Sequence, residues 1–151
     1  MTKFYEITKA VTIPTPRDKE RELAVCVTPH KVKHIVSVFI DSLNHCEWCS
    51  DLYAIQQDSA TDSLLSYIEH YGDFKLTDRD GDVHIVSTER IVTAVFEAYK
   101  YCALHNYYEI KCYPNYTVSP RFADIVLQYA AYSSVIYYNS YDERGSVEWI
   151  V

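Results

Sequence analysis

The stretch from Thr28 to Cys49, TPHKVKHIVSVFIDSLNHCEWC, constrains the fold more than any other part of the chain. Thr28 can cap a helix, and Pro29 suits its first turn, because the N–H that proline lacks would have had no partner there. Val32, Ile35, Val36, Phe39, Ile40 and Leu43 recur at the spacing of one helical face, with Lys31, Lys33, Ser37 and Asp41 opposite. The pattern stops near Asn44 and runs into His45-Cys46-Glu47-Trp48-Cys49, the densest run of chemically able side chains in the sequence.

Around this helix lie short strands, some in hairpins, and further helices. Phe4 to Ile13 and Leu23 to Val27 are rich in β-branched and aromatic residues and predict strands. Ser50 to Thr61 is polar and reads as a loop or irregular turn. Asp62 to Tyr71 predicts a short helix stopped by Gly72. Phe74–Thr77 and Val83–Val86 predict a hairpin, where Asp80-Gly81 suits a type I′ turn, and otherwise a solvated tip. Ser87 or Thr88 opens a helix carrying Ile91, Val92, Val95, Phe96, Tyr99, Cys102 and Ala103 on one face. Ser119-Pro120 opens another with Phe122, Ile125, Val126, Tyr129 and Ala130, and Phe39 and Phe96 are the expected core anchors. Val135–Tyr138 and Ser146–Ile150 complete the pattern as closing strands. Strict βαβ units are missing, so the expectation is one α+β domain over residues 1–151, three main helices packed on a small, mostly antiparallel sheet.

Composition sets the class of protein. The chain has 151 residues, 48% of them hydrophobic, with three glycines and five prolines, enough for a core without staples. Its formal charge of −7 argues against direct nucleic-acid binding, which needs a basic face. MTKFYEITK lacks the apolar core of a signal peptide, and no stretch approaches the roughly 20 apolar residues of a membrane span. Five cysteines without a disulfide-like framework fit a reducing compartment, so a soluble intracellular protein without a membrane partner is expected.

Each chemically suggestive cluster has a plain structural reading beside it. Cys46 and Cys49 have zinc-knuckle spacing with His45 adjacent, but structural zinc needs a second ligand pair and none follows, so no required metal or cofactor is expected. Asp78, Asp80, Asp82 and Glu89 superficially match a calcium loop, but Val83 stands where that loop needs glycine. No nucleophile elbow, Walker loop or HExxH motif is present, which leans against an enzyme, although a Cys–His pair assembled in space stays open. Tyrosine is the outlier at fifteen residues. Tyr107, Tyr108, Tyr113, Tyr116, Tyr132 and Tyr138, together with Trp48, make the best candidate surface for a partner; the plain alternative is a tyrosine-rich core edge.

Several pieces together resemble a family of small uncharacterised proteins of tailed bacteriophages. These are Val27-Thr28-Pro29 opening a helix, the Trp-containing turn Cys46-Glu47-Trp48-Cys49, the acidic hairpin LTDRDGDVH before a helix, and ADIVLQYA followed by Val135-Ile136-Tyr137-Tyr138. The chain departs from that pattern at Ser42-Leu43-Asn44-His45, where a Gly-Gly pair is usual, and at Ser133-Ser134, where glycine is common. The resemblance implies a phage protein acting in the cytoplasm of a bacterial host, and brings no activity with it. The expected function is then non-enzymatic binding that modulates or inhibits a host bacterial protein, a defence component included, with a homodimer left open. Two alternatives stand beside an aromatic-anchored contact: carboxylates that imitate a phosphate track, and a small-molecule or nucleotide binder or hydrolase.

Overall fold

The computed structural model describes residues 3–13, 21–55, 63–104 and 118–137. Strand β1 (Ile7–Ile13) pairs antiparallel with β2 (Arg21–Val27), and α1 (Pro29–Asp41) follows. Thr28 caps α1 as its side-chain chemistry predicts: its Oγ1 accepts the Lys31 N–H at 3.2 Å. A one-turn 3₁₀ helix, Leu43–His45, leads into β3 (Cys49–Ala54). Next come α2 (Leu64–Glu69), β4 (Asp73–Asp78), β5 (Val83–Ser87), α3 (Thr88–Leu104) and α4 (Pro120–Tyr132). The fold class is α+β, but the described strands form two separate antiparallel sheets, β1–β2 and β3–β4–β5, rather than the single sheet expected.

Strand β3 lies where a loop was expected, at the start of Ser50–Thr61. Its alternation is hidden because the pairing with β4 slips between Cys49 and Asp51. Cys49 and Leu52 face the core across that irregularity, while Ser50, Asp51 and Tyr53 are exposed. A bulge of this kind erases the period of two that marks a strand in sequence.

The β4–β5 hairpin forms, yet its turn is not type I′. Gly81 N–H donates to the Asp78 carbonyl at 3.1 Å, and Gly81 alone in the loop has positive φ, at 90°. Asp78 and Asp82 close the loop through an N–H···O bond of 2.9 Å. This is a three-residue loop with glycine at the left-handed position, the alternative to a two-residue turn.

Val135 to Tyr137, expected to begin a closing strand, belong to no described strand. The N–H groups of Ile136 and Tyr137 both donate to the Gln128 side chain, at 2.9 and 2.8 Å. Residues 138–151, including the second closing strand expected, lie outside the described residues.

Helix α4 is the centre of the molecule. The spacing predicts one apolar face, but every residue from Arg121 to Leu127, and Gln128 after it, is buried. A helix covered on all sides must be packed by several elements at once, and α1, α3 and β5 all touch it. Tyr99 of α3 packs on Phe122 at 5.1 Å. Phe39 and Phe96 are buried, as expected of core anchors, whereas Ile40 at 37% exposure falls off the apolar face of α1. Lys31 is half-buried against α3: its ammonium donates to the Tyr99 hydroxyl at 2.7 Å, and burial lowers its pKa to about 8.

Gly72 is needed for space rather than for a left-handed turn, since that conformation falls to Tyr71, at φ 59°. A Cβ on Gly72 would stand 2.4 Å from the Tyr67 ring. The ring has no easy escape, being packed edge-on against Phe74 at 5.3 Å with its hydroxyl accepting the Ile55 N–H at 3.1 Å. The Gly72 carbonyl also accepts both the hydroxyl and the N–H of buried Thr88, at 2.6 and 3.0 Å, which fixes the start of α3. Gly72→Ala should therefore destabilise the fold by about 1–3 kcal/mol in urea unfolding. In a Tyr67→Ala background the same change should cost little. An equal cost in both backgrounds would show that the ring is not what excludes the methyl group.

Candidate functional site

Trp48, expected at a partner surface, is in the core with 1% of its surface exposed. The correction has a clear cause. Its indole N–H donates to Asp124 Oδ1 at 2.5 Å, and its ring stacks on Tyr137 with centroids 5.9 Å apart and planes at 9°. Phe39 and Tyr132 close the remaining sides at 5.7 and 5.5 Å.

Asp124 and Gln128 lie one turn apart on α4, so their side chains share a face. Gln128 Nε2 donates to Asp124 Oδ2 at 3.0 Å and to the Tyr137 carbonyl at 3.1 Å. Its Oε1 takes the two N–H groups of Ile136 and Tyr137, so the amide makes all four bonds it can. Trp48, Asp124, Gln128 and Tyr137 thus form one buried network joining the turn before β3, the central helix and the segment after it. Sequence reasoning quoted Asp124 and Gln128 only inside a family pattern. An acid and an amide four residues apart on an otherwise apolar helix were the available signal.

The thiols of Cys46 and Cys49 are buried beside this network, while His45 is exposed. Cys46 Sγ stands 4.0 Å from Asp124 Oδ1 and accepts the Cys49 N–H at 3.4 Å; Cys49 Sγ donates to the Asp51 carbonyl at 3.4 Å. Burial, aided by the Asp124 carboxyl, pushes the Cys46 pKa up to about 11. Burial and the neighbouring Cys46 push Cys49 to about 12. Both are protonated at neutral pH and poor nucleophiles or metal ligands. Among the described residues no group of three or more His, Cys, Asp or Glu side chains could hold a metal ion.

The tip of the acidic hairpin, Arg79 to Asp82, is exposed, as a solvated turn should be, while Asp78 at its base is buried and ties it down. Asp78, 5% exposed, accepts the Asp80 and Asp82 N–H groups on Oδ1 at 3.0 and 2.9 Å. Its Oδ2 meets His84 Nε2 at 3.0 Å and the Tyr132 hydroxyl at 3.3 Å. The bond to His84, with the backbone N–H groups, holds its pKa below the ordinary carboxylate value. A carboxyl so occupied is not available to calcium. Arg79 reaches back from the tip, with its N–H on the Trp48 carbonyl at 2.8 Å, Nε on Cys46 O at 3.1 Å and Nη2 on Leu43 O at 3.4 Å.

Tyr132 is therefore half-buried, its ring also edge-on to His84 at 5.0 Å, and burial raises its pKa above the ordinary phenol value. Tyr107, Tyr108, Tyr113, Tyr116 and Tyr138 lie outside the described residues. Two other surfaces stand out. A cleft of about 500 Å³ runs between α3 and α4, walled by Glu89, Arg90, Thr93, Glu97, Tyr129 and Ser133. The outer face of β3–β4–β5 exposes Tyr53, Ile55, Val83 and Ile85 by 39–56%.

Among the described residues no helix is long and apolar enough to cross a membrane. No protein-family model, no curated protein and no solved structure matches the chain. The likeness to tailed-phage proteins rests on the quoted residues alone.

Removing the Asp124 carboxyl strands two buried donors, each costing about 1–3 kcal/mol. Asp124→Ala should lower stability by about 2–5 kcal/mol and change the Trp48 fluorescence. Asp124→Asn, which keeps one oxygen for the indole, should fall between. A loss under about 1 kcal/mol for the alanine variant would mean that the network does not hold Trp48. The thiols give a separate test. At pH 8 iodoacetamide should leave Cys46 and Cys49 unmodified in the native protein, and peptide mass mapping should find both alkylated after denaturation. Native alkylation at the rate of a free thiol would contradict their burial.

Proposed function

We propose that this is a non-enzymatic accessory protein of phage origin that binds and modulates a host protein in the bacterial cytoplasm, a defence component included. Support comes from where the able side chains are spent. Trp48, Asp124, Gln128, Asp78, Cys46 and Cys49 all serve the interior, which leaves recognition to the surface.

The observation that carries the reading is the cleft between α3 and α4. Tyr129 provides an aromatic wall, half-buried and edge-on to Tyr101 at 6.3 Å. Arg90 is turned to Ser133, with Nη2 and Oγ 3.2 Å apart. Glu89 and Glu97 leave the rim with more negative than positive charge, and Lys100, 3.6 Å from Glu97, is an exposed pairing of small effect. A basic side chain from a partner fits such a place, gaining charge attraction at the rim and cation–π contact with the ring. This is an anchor with a polar rim, the arrangement in which interface energy usually concentrates.

The nucleotide reading draws on the same cleft, whose size suits a small ligand. Two carboxylates beside one guanidinium oppose a polyphosphate there. The expected outcome of a pull-down from bacterial lysate is a host protein retained by the wild-type chain and lost from the exposed double variant E89K/E97K. Thermal unfolding with a nucleotide panel should show no shift. A nucleotide that raises the melting temperature, together with capture indifferent to E89K/E97K, would favour the small-molecule reading instead.

A further inference from the structure

The outer face of the β3–β4–β5 sheet carries an arrangement that the core does not use and that meets the cleft only at Ser87. Strand register places Tyr53, Lys75 and Ile85 in one row across the three strands, and Asp51, Thr77 and Val83 in the next. Ile55, whose N–H donates to the Asp73 carbonyl at 3.0 Å, extends the pairing to a row of Ile55, Asp73 and Ser87. The inward residues Leu52, Phe74, Leu76 and Val86 are buried, so the alternation turns these three rows outward. Val83 is 51% and Ile85 56% exposed on β5, a strand with no second neighbour among the described residues. The face therefore has exposed apolar flanks, Tyr53 and Ile55 on one side and Val83 and Ile85 on the other, about a polar central strand of Asp73, Lys75 and Thr77, a mixture that suits a polar, self-complementary contact.

The central strand supplies one base and one acid, Lys75 and Asp73, two residues apart and about 7 Å from each other along the strand. We infer that this face binds a second copy of the same chain, sheet on sheet, around a two-fold axis crossing β4 between Asp73 and Lys75. That axis sets Lys75 against the partner's Asp73 and Asp73 against the partner's Lys75. The same operation lays Tyr53 over the partner's Ile55, and Ile85 over the partner's Ser87. An axis running along the strands would instead put Lys75 on itself and Asp73 on itself, and like charges facing each other across an interface are strongly disfavoured. Charge therefore selects one isologous arrangement, in which each contact occurs twice. The Lys75 ammonium is already 5.8 Å from the centre of the Tyr53 ring, which holds it over the apolar part of the face. The charge pair that carries the inference stands apart from the cleft, since neither Asp73 nor Lys75 lines it.

Sedimentation equilibrium of the full chain, with its charge variants, tests this directly. The wild type should sediment as a dimer at micromolar concentration. D73K and K75D should each raise the dissociation constant by about tenfold or more, because each creates like-charge pairs at the axis. An equimolar mixture of D73K and K75D should recover the dimer, since one variant presents two bases and the other two acids. Recovery on mixing also shows that both variants fold. A wild-type monomer would overturn the inference, and so would single variants that dimerise as well as the wild type. Variants that stay monomeric after mixing, with native circular dichroism, would overturn the proposed axis. None of these outcomes depends on capture of a host protein.

Discussion

The hydrogen bonds of Asp124 hold the rest of the structure together. A carboxyl with 1% of its surface exposed is costly unless its oxygens are satisfied, and here the Trp48 indole and the Gln128 amide satisfy them. Each of those partners is committed elsewhere. The Trp48 ring fills the space between Phe39, Tyr132 and Tyr137, and the Gln128 amide holds the chain after α4 by three further bonds. The consequence is geometric. A helix with polar groups pointing inward can be surrounded on every side only if neighbouring elements bring matching donors, and that requirement positions the turn before β3 and the segment from Val135 to Tyr137.

The β4–β5 hairpin closes the same region from the other side. Asp78 organises its own loop through two backbone N–H groups, then spends its second oxygen on His84 and Tyr132. Arg79 meanwhile donates to the carbonyls of Cys46 and Trp48 and adds a second donor to that of Leu43, which already accepts the Cys46 N–H. Two polar clusters thus grip one tryptophan, one through its side chain and one through its backbone. Of the run His45-Cys46-Glu47-Trp48-Cys49, the tryptophan and both thiols are buried in this region, while His45 and Glu47 are exposed.

What was legible depended on whether a signal was local. Thr28-Pro29 and Ser119-Pro120 announce helix starts through side-chain chemistry that acts within one turn, and both caps form, with Ser119 Oγ accepting the Phe122 N–H at 3.1 Å. Strand β3 could not be read, because a register slip broke its alternation and its partner β4 lies more than twenty residues on. Val135 to Tyr137 look like a strand by composition, yet a glutamine side chain takes the N–H groups a neighbouring strand would need. Trp48 was misplaced because an aromatic residue with one polar edge suits an interface and a satisfied core equally. Only the carboxyl on a helix more than seventy residues later decides between them.

The two surfaces left over are joined by one stretch of chain. Strand β5 ends at Ser87, which belongs to the outer row with Asp73, lines the cleft, and caps α3 by accepting the Arg90 N–H at 3.1 Å. Arg90 in turn reaches Ser133 across the cleft. Ser133 sits in the left-handed conformation at φ 63°, a position that glycine fills at lower cost, just past the end of α4. A ligand that displaced Arg90 from Ser133 would act on the first turn of α3 and so on the end of β5. A second copy docked over Ile85 and Ser87 would act on the same cap from the sheet side. If both surfaces are occupied as proposed, this cap is where they meet, and any coupling between them must be reciprocal: whatever the dimer contributed to binding in the cleft, binding in the cleft would contribute to the dimer.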